Sequence, residues 1–269
     1  MATTKKAFLA PLIALLTLFA VGSAHAEAEE MESKSFDVNG FTRVSLKGSS
    51  HVEVIQGAHF AVNATGPAEV MAHAKAQLKG DTLELSVDDN TQRWFGVITI
   101  TRDLDQKVQF TVTMPKVEAI VVLGSGQAVA ESLESESLDL GVTGSGTVRI
   151  AKAAAENLNA YVTGSGDLIL DKALSVTSEI AISGSGDVFL GGITGEKLSA
   201  EIKGSGDMRV GGRVADVNIR IMGSGDFVGR SLRADNATGS VMGSGDIVLK
   251  RPQRDSFTVM GSGDVALVD

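Results

Sequence analysis

The chain has 269 residues, a formal charge of −9 at pH 7 and no cysteine. The lack of thiols excludes disulfides, thiol catalysis and a lipid-modified cysteine anchor. The excess of acid argues against nucleic acid as a partner, because its phosphates demand lysine and arginine.

At the N-terminus, Lys5 and Lys6 precede the apolar run from Ala7 to Val21, and GSAHA then ends in an A-x-A pattern at Ala24 and Ala26. This is the layout of a cleaved secretory signal peptide, residues 1–26, too short and too weakly flanked for a membrane anchor. Its removal takes away two lysines and no acid, moving the charge from −9 to −11. No later stretch approaches a membrane span. Residues 27–34 are expected to form a disordered leader, and residues 35–269 one β domain.

From Ser35 to Pro115 the pattern is irregular. FTRVSLKGSSHVEVIQG and DTLELSV alternate as strands, as do VITI and VQFTVTMP further on. PAEVMAHAKAQLKG, with Val70, Ala74 and Leu78 four apart between Pro67 and Gly80, reads as a short helix. Residues 35–115 are expected to be the first levels of a repeat structure with insertions, or else a small separate β domain. Trp94 and Phe95, adjacent in TQRWFGV, are the one conspicuous aromatic pair. They are a candidate contact site on an inserted loop, or simply core or cap residues.

Residues 116–269 are a repeat. GSG begins at Gly124, Gly144, Gly164, Gly184, Gly204, Gly223, Gly243 and Gly261, with successive spacings of 20, 20, 20, 20, 19, 20 and 18 residues. Upstream, LKGSSHVEV keeps the same frame at Gly48. Two residues before each first glycine the side chain is always aliphatic (Val122, Val142, Val162, Ile182), and four residues after it always apolar (Ala128, Val148, Leu168, Val188). Odd offsets carry Thr143, Thr163, Ser183 and Lys203. Each flank is therefore a strand with one buried face, and the glycines mark corners.

A 20-residue unit cannot bury its apolar edge alone and must stack on its neighbours. A β-propeller needs repeats of roughly 40 residues, and a leucine-rich repeat needs a helix or an asparagine ladder. The expected fold is all-β: a single-stranded right-handed parallel β-helix, or β-solenoid, with a less regular N-terminal part.

The residue after GSG is Gln127, Thr147, Asp167, Asp187, Asp207, Asp226, Asp246 and Asp264. A phosphate loop would have to feed a helix N-terminus, and these corners feed strands. Six stacked carboxylates repel one another, which a hard cation such as calcium would relieve. The simpler alternative is a solvated turn aspartate accepting a backbone hydrogen bond. Hydrolysis of a polysaccharide would need carboxylates in contrasting environments, and this row offers equivalent ones. His51 occupies the aspartate position of its own level, His59 and His73 lie outside the regular array, and no repeated base accompanies Ser125, Ser145 and their equivalents. No catalytic residue and no organic cofactor is expected.

The signal peptide, the FTRVSLKGSSHVEVIQG opening, LELSV, FTVTMPKVEAIVVLGSG and the GSGD levels together resemble the bacterial family called putative auto-transporter adhesin, head GIN domain. The resemblance implies an exported β-helical domain, periplasmic or at the cell surface, with no catalytic residues. An autotransporter carries a C-terminal membrane barrel, whereas this sequence ends at GSGDVALVD, so another component would have to carry it to the surface. The expected function is a non-enzymatic binding scaffold at the cell envelope, with an envelope polymer, a glycan or a protein as partner. A calcium-stiffened structural protein and a polysaccharide-active enzyme are the alternatives.

Overall fold

The computed structural model describes residues 30–88 and 108–269. Among them, 17 strands form one sheet wound into a solenoid, most of its pairs parallel. The core of the repeat is carried by β9 (Gln127–Gly144), β10 (Thr147–Gly164), β11 (Asp167–Gly184), β12 (Asp187–Gly204), β13 (Met208–Gly223) and β14 (Phe227–Gly243). Each of these long strands is one level, paired residue for residue with the next. Val148 lies opposite Leu168 and Gly164 opposite Gly184.

Parity of burial shows how a level bends. In β10 the buried side chains are Val148 and Ile150, then Ala153, then Leu158, Ala160 and Val162. Within each group the step is two, as a pleated strand requires; between groups it is odd, which would reverse the face of a straight strand. The chain must turn at both places to keep these side chains inward. With the GSG corner, a level therefore has three sides, called here side 1 (from 147), side 2 (from 152) and side 3 (from 157). Each buried valine, leucine or isoleucine contributes about 1.5–3 kcal/mol by leaving water. One column is interrupted by Ser178, where β10 and β12 have Leu158 and Leu198. Its hydroxyl meets that of Ser175 at 2.5 Å, so the buried polar pair satisfies itself.

The first glycine of all eight GSG copies has φ between 118° and 140°. From Gly124 to Gly243 its carbonyl accepts two bonds from the next level: Ser165 and Gly166 both donate to Gly144 O, at 2.9 and 3.0 Å. The corners are thus closer than any side chain permits. A Cβ on Gly184 would overlap the carbonyl oxygen of Gly164. The 19-residue spacing is absorbed at a bend: register shifts between Leu190 and Ile193, opposite Gly212, whose φ is 118°.

The N-terminal strands belong to the same sheet but not in chain order. They are β1 (Met31–Phe36), β2 (Arg43–Gly48), β3 (His51–Gln56), β4 (Ala61–Pro67), β5 (Ala74–Lys79), β6 (Thr82–Val87), β7 (Gln109–Met114) and β8 (Ala119–Gly124). The level built by β2 and β3 lies between that of β6 and β7 and that of β8 and β9: β2 pairs with β6 and β8, and β3 with β7 and β9. Beyond the level of β6 and β7 the direction reverses. β4 runs antiparallel on β7, β1 antiparallel on β4, and β5 antiparallel on β6, so this end is closed by strands of opposite sense. On side 2, β9 has no strand beneath it among the described residues. There the Gln56 amide donates to Glu134 O at 2.8 Å and accepts from Glu134 N at 2.7 Å, as a paired strand residue would.

Two expectations are corrected. Residues 31–34 are not a disordered leader but part of β1; backbone pairing to β4 and bonds such as Ser35 to Asn63 at 2.7 Å hold them without an apolar face. The helix over 67–80 shrinks to α1 (Ala68–Met71), and Ala74 opens β5. AKAQLK alternates with period two, a spacing of four is also an even step, and pairing with β6 decides in favour of the strand.

At the far end, β14 is followed by β15 (Ile247–Lys250), β16 (Arg254–Gly261) and β17 (Val265–Val268); β15 and β16 pair with β14, and β17 with β15.

Gly184→Ala should lower stability by about 3 kcal/mol, from the glycine-only φ and the carbonyl overlap. Ser185→Ala, at the exposed apex of the same corner, should stay within about 0.5 kcal/mol; chemical denaturation of both checks this. Glu84, clasped by Lys47 and by Lys79, ties β6 to β2 and β5. The Lys47 bond first, then the Lys79 bond, hold its carboxyl below the ordinary glutamate range against the opposing effect of burial. With the folded value below the unfolded one, the stabilisation is present above about pH 4.3 and lost as pH falls through the folded value. The Tm difference between wild type and Glu84→Gln should therefore close on acidification, as read by thermal melts from neutral to acidic pH.

Candidate functional site

The corner residues form a column through ten levels: Gln109, His51, Gln127, Thr147, Asp167, Asp187, Asp207, Asp226, Asp246 and Asp264. At about 4.8 Å per level the column is roughly 43 Å long. In its first half the backbone alone makes the bonds: Thr147 N donates to Gly126 O and Asp167 N to Gly146 O, both at 2.9 Å, and Asp187 N to Gly166 O at 3.2 Å.

From Asp207 onward the pattern changes. Asp207 N donates to Asp187 Oδ1 at 2.9 Å, Asp226 N to Asp207 Oδ1 at 3.1 Å, and Asp246 N and Asp264 N to the carboxylates of Asp226 and Asp246 at 2.8 Å. In exchange the Asp207 carbonyl accepts from Val188 N at 3.0 Å. The carboxylates of Asp187, Asp207, Asp226 and Asp246 are thus rungs of the ladder, each holding the amide of the next level. Five of the six candidate aspartates join this row; Asp167 stacks in register on a level where backbone bonds suffice. Arg209 bridges the row, 3.1 Å from Asp207 and 3.9 Å from Asp187. Among the described residues no three carboxylates or imidazoles approach closely enough to hold one metal ion.

His51 sits between Gln109 and Gln127 in register, and with Glu53 and Val129 lines a shallow depression of about 500 Å³. Trp94 and Phe95 lie outside the described residues.

Two surfaces escaped the sequence analysis. On side 3 the outward rows are polar and interlocked: Asn218 donates to Thr238 at 2.8 Å and Asn236 to Asp216 at 2.6 Å, along a trough of about 400 Å³. Further toward β1 on the same side, Arg43 pairs with Asp139 at 2.9 Å, and Tyr161, the one tyrosine of the chain, lays its ring over Gly141. Burial first, and then the nearby Asp139 charge, push the phenol pKa up, so it stays a neutral donor. The available signal was Gly141, a gap in an outward row next to the single tyrosine. On side 2, Leu174 and Val176 are 59% and 48% exposed beside Ala154, Ala155 and Gly195, with Glu134, Glu156 and Glu196 around them.

None of the curated proteins matches this chain. Among solved structures, a protein described as a putative adhesin from Bacteroides fragilis is 20% identical, with a TM-score of 0.69 over 90% of this chain and 98% of that one. A putative adhesin from Parabacteroides merdae is 17% identical with a TM-score of 0.74, covering 89% of this chain and 97% of its own. A protein described as a putative lipid binding protein from Parabacteroides distasonis is 19% identical, also with a TM-score of 0.74 and the same two shares. These likenesses establish a common fold. The family model described as "Putative auto-transporter adhesin, head GIN domain" matches residues 40–175 and 170–268, nearly the whole described solenoid, and the chain belongs to that family.

Proposed function

We propose that the protein is an exported, non-enzymatic scaffold that binds at the cell envelope through the outward rows of side 3, with a glycan or envelope polysaccharide as its partner. The observation that carries this reading is the match between spacing and chemistry on that side. Amides and hydroxyls recur at each level, fixed by bonds such as Asn218 to Thr238, and the Tyr161 ring lies over Gly141 near the Arg43–Asp139 pair. A sugar polymer offers hydroxyls for such a polar row and an apolar ring face for such an aromatic. The rigid stack holds these groups in place before binding, so little ordering is required of the protein. The signal-peptide layout of residues 1–26 supports export, and no helix among the described residues is long and apolar enough to cross a membrane.

The corner ladder supports the scaffold and not a separate metal function. Its oxygens already satisfy amides, which a neutral side chain with the same acceptor could also do. Asp226→Asn should leave stability within about 0.5 kcal/mol, whereas Asp226→Ala, which removes the acceptor of the Asp246 amide, should cost about 1 kcal/mol, or roughly 2–4 °C in Tm. Millimolar calcium should shift neither Tm. A rise seen with wild type and lost when Asp167, Asp187, Asp207, Asp226, Asp246 and Asp264 all become asparagine would make the ladder a cation site.

Binding of the labelled chain to a panel of neutral and acidic glycans, and to whole bacterial cells, tests the main reading. Tyr161→Ala should weaken that binding about 10-fold or more with the melting transition retained. Unchanged binding in this variant would remove side 3 from the proposal.

A further inference from the structure

The two ends of the stack are finished differently. At the N-terminal end, antiparallel β1, β4 and β5 cover the first parallel level. Their outer strands also carry charges that discourage further pairing, Glu32 and Lys34 on β1 and Lys75 and Lys79 on β5. At the other end, among the described residues, no antiparallel strand covers the last level. β16 pairs only with β14 and β17 only with β15, so among the described residues both present an unpaired edge. No charged residue lies between Asp255 and Asp264, and β17 has none at all.

The side chains of this last level are core residues without a core above them. Val259 is 40% exposed, although Val241, one level below, is fully buried; Phe257, Val265 and Leu267 are only partly covered. Met242 and Met260, 40% and 57% exposed, continue the apolar surface around the outside of side 3. The charge also differs from the rest of the molecule. Within a chain of net charge −9, residues 247–269 carry three basic side chains (Lys250, Arg251, Arg254) and three acidic ones (Asp255, Asp264, Asp269). Two copies therefore meet least repulsion end to end at this level.

We infer that this end is a self-association surface, on which β16 of one copy pairs antiparallel with β16 of a second copy across a two-fold axis. A two-fold axis lying across the stack turns one side of the rung onto itself with its strand direction reversed, so side 3 meets side 3 as an antiparallel pair. Pleating allows only registers that place inward residues opposite inward residues. The register centred on Thr258 does so, setting Phe257 of each copy opposite Val259 of the other and joining the two apolar columns into one. The covered N-terminal end does not offer the same edge, so the contact closes as a dimer and does not grow into a fibre.

Thr258 is exposed in the single chain and lies on the axis in the pair. Sedimentation velocity of residues 27–269 is to be run from about 1 µM to about 500 µM, the range in which a small interface becomes populated. Wild type is expected to convert to a dimer with concentration. Thr258→Glu and Thr258→Lys are each expected to remain monomeric, with melting transitions like that of wild type. Mixed in equal amounts, the two variants are expected to dimerise again, because opposite charges then face each other on the axis. A wild type that is monomeric throughout overturns the inference. So does a dimer that persists in Thr258→Glu, or an oligomer that keeps growing with concentration.

Discussion

The structure rests on one close contact, the stacking of glycine corners. From Gly124 to Gly243 each first glycine of GSG gives its carbonyl to two amides of the next level, and the space where its Cβ would stand is taken by the backbone of the preceding corner. This contact sets the register of everything attached to it. With Gly164 over Gly184, Val162 must lie over Ile182 and Val148 over Leu168, and the aliphatic columns follow. The hydrophobic effect supplies most of the stabilising energy, but it does not choose between neighbouring registers in a core made of similar aliphatic side chains. The corners make that choice.

The same contact explains why the repeat could be read so directly. Only glycine tolerates the required φ and the close approach, so the corner is spelled with the same letters at each level. The period-two flanks follow from burial on one face, and from Gly124 to Gly243 they place the buried side chains correctly. The bends were harder to see, since they appear only as odd steps between buried positions such as Ile150 and Ala153. The N-terminal part was much less legible. Its strands are held by partners distant in the chain, β2 by β8 and β1 by β4, and pairing of this kind leaves little local trace. AKAQLK is compatible with a helix or a strand until β6 is in place. Gln56 closing the side 2 edge is invisible as a pattern, because one side chain there does the work of a strand.

The site was legible in its letters and not in its bonding. The aspartate column was evident from Asp167 to Asp264, but not that the carboxylates of Asp187, Asp207, Asp226 and Asp246 each accept the amide of the next level. Tyr161 escaped notice because its position becomes meaningful only when Gly141 is known to lie beneath the ring. Surfaces of this kind arise from rows, and rows exist only after stacking. A scaffold of this type keeps its core within single levels and presents its chemistry across several.

The one-to-one register through β9, β10, β11 and β12 has a further consequence. Each of these levels offers its neighbours the same corner, the same three sides and the same columns, so the chain on either side of one level can join without it. Loss or duplication of 20 residues in this stretch would return equivalent contacts and leave both differently finished ends untouched. The length of the molecule is therefore adjustable in increments of about 4.8 Å. Reach from the envelope can change by slippage within the gene, without redesign of either terminus.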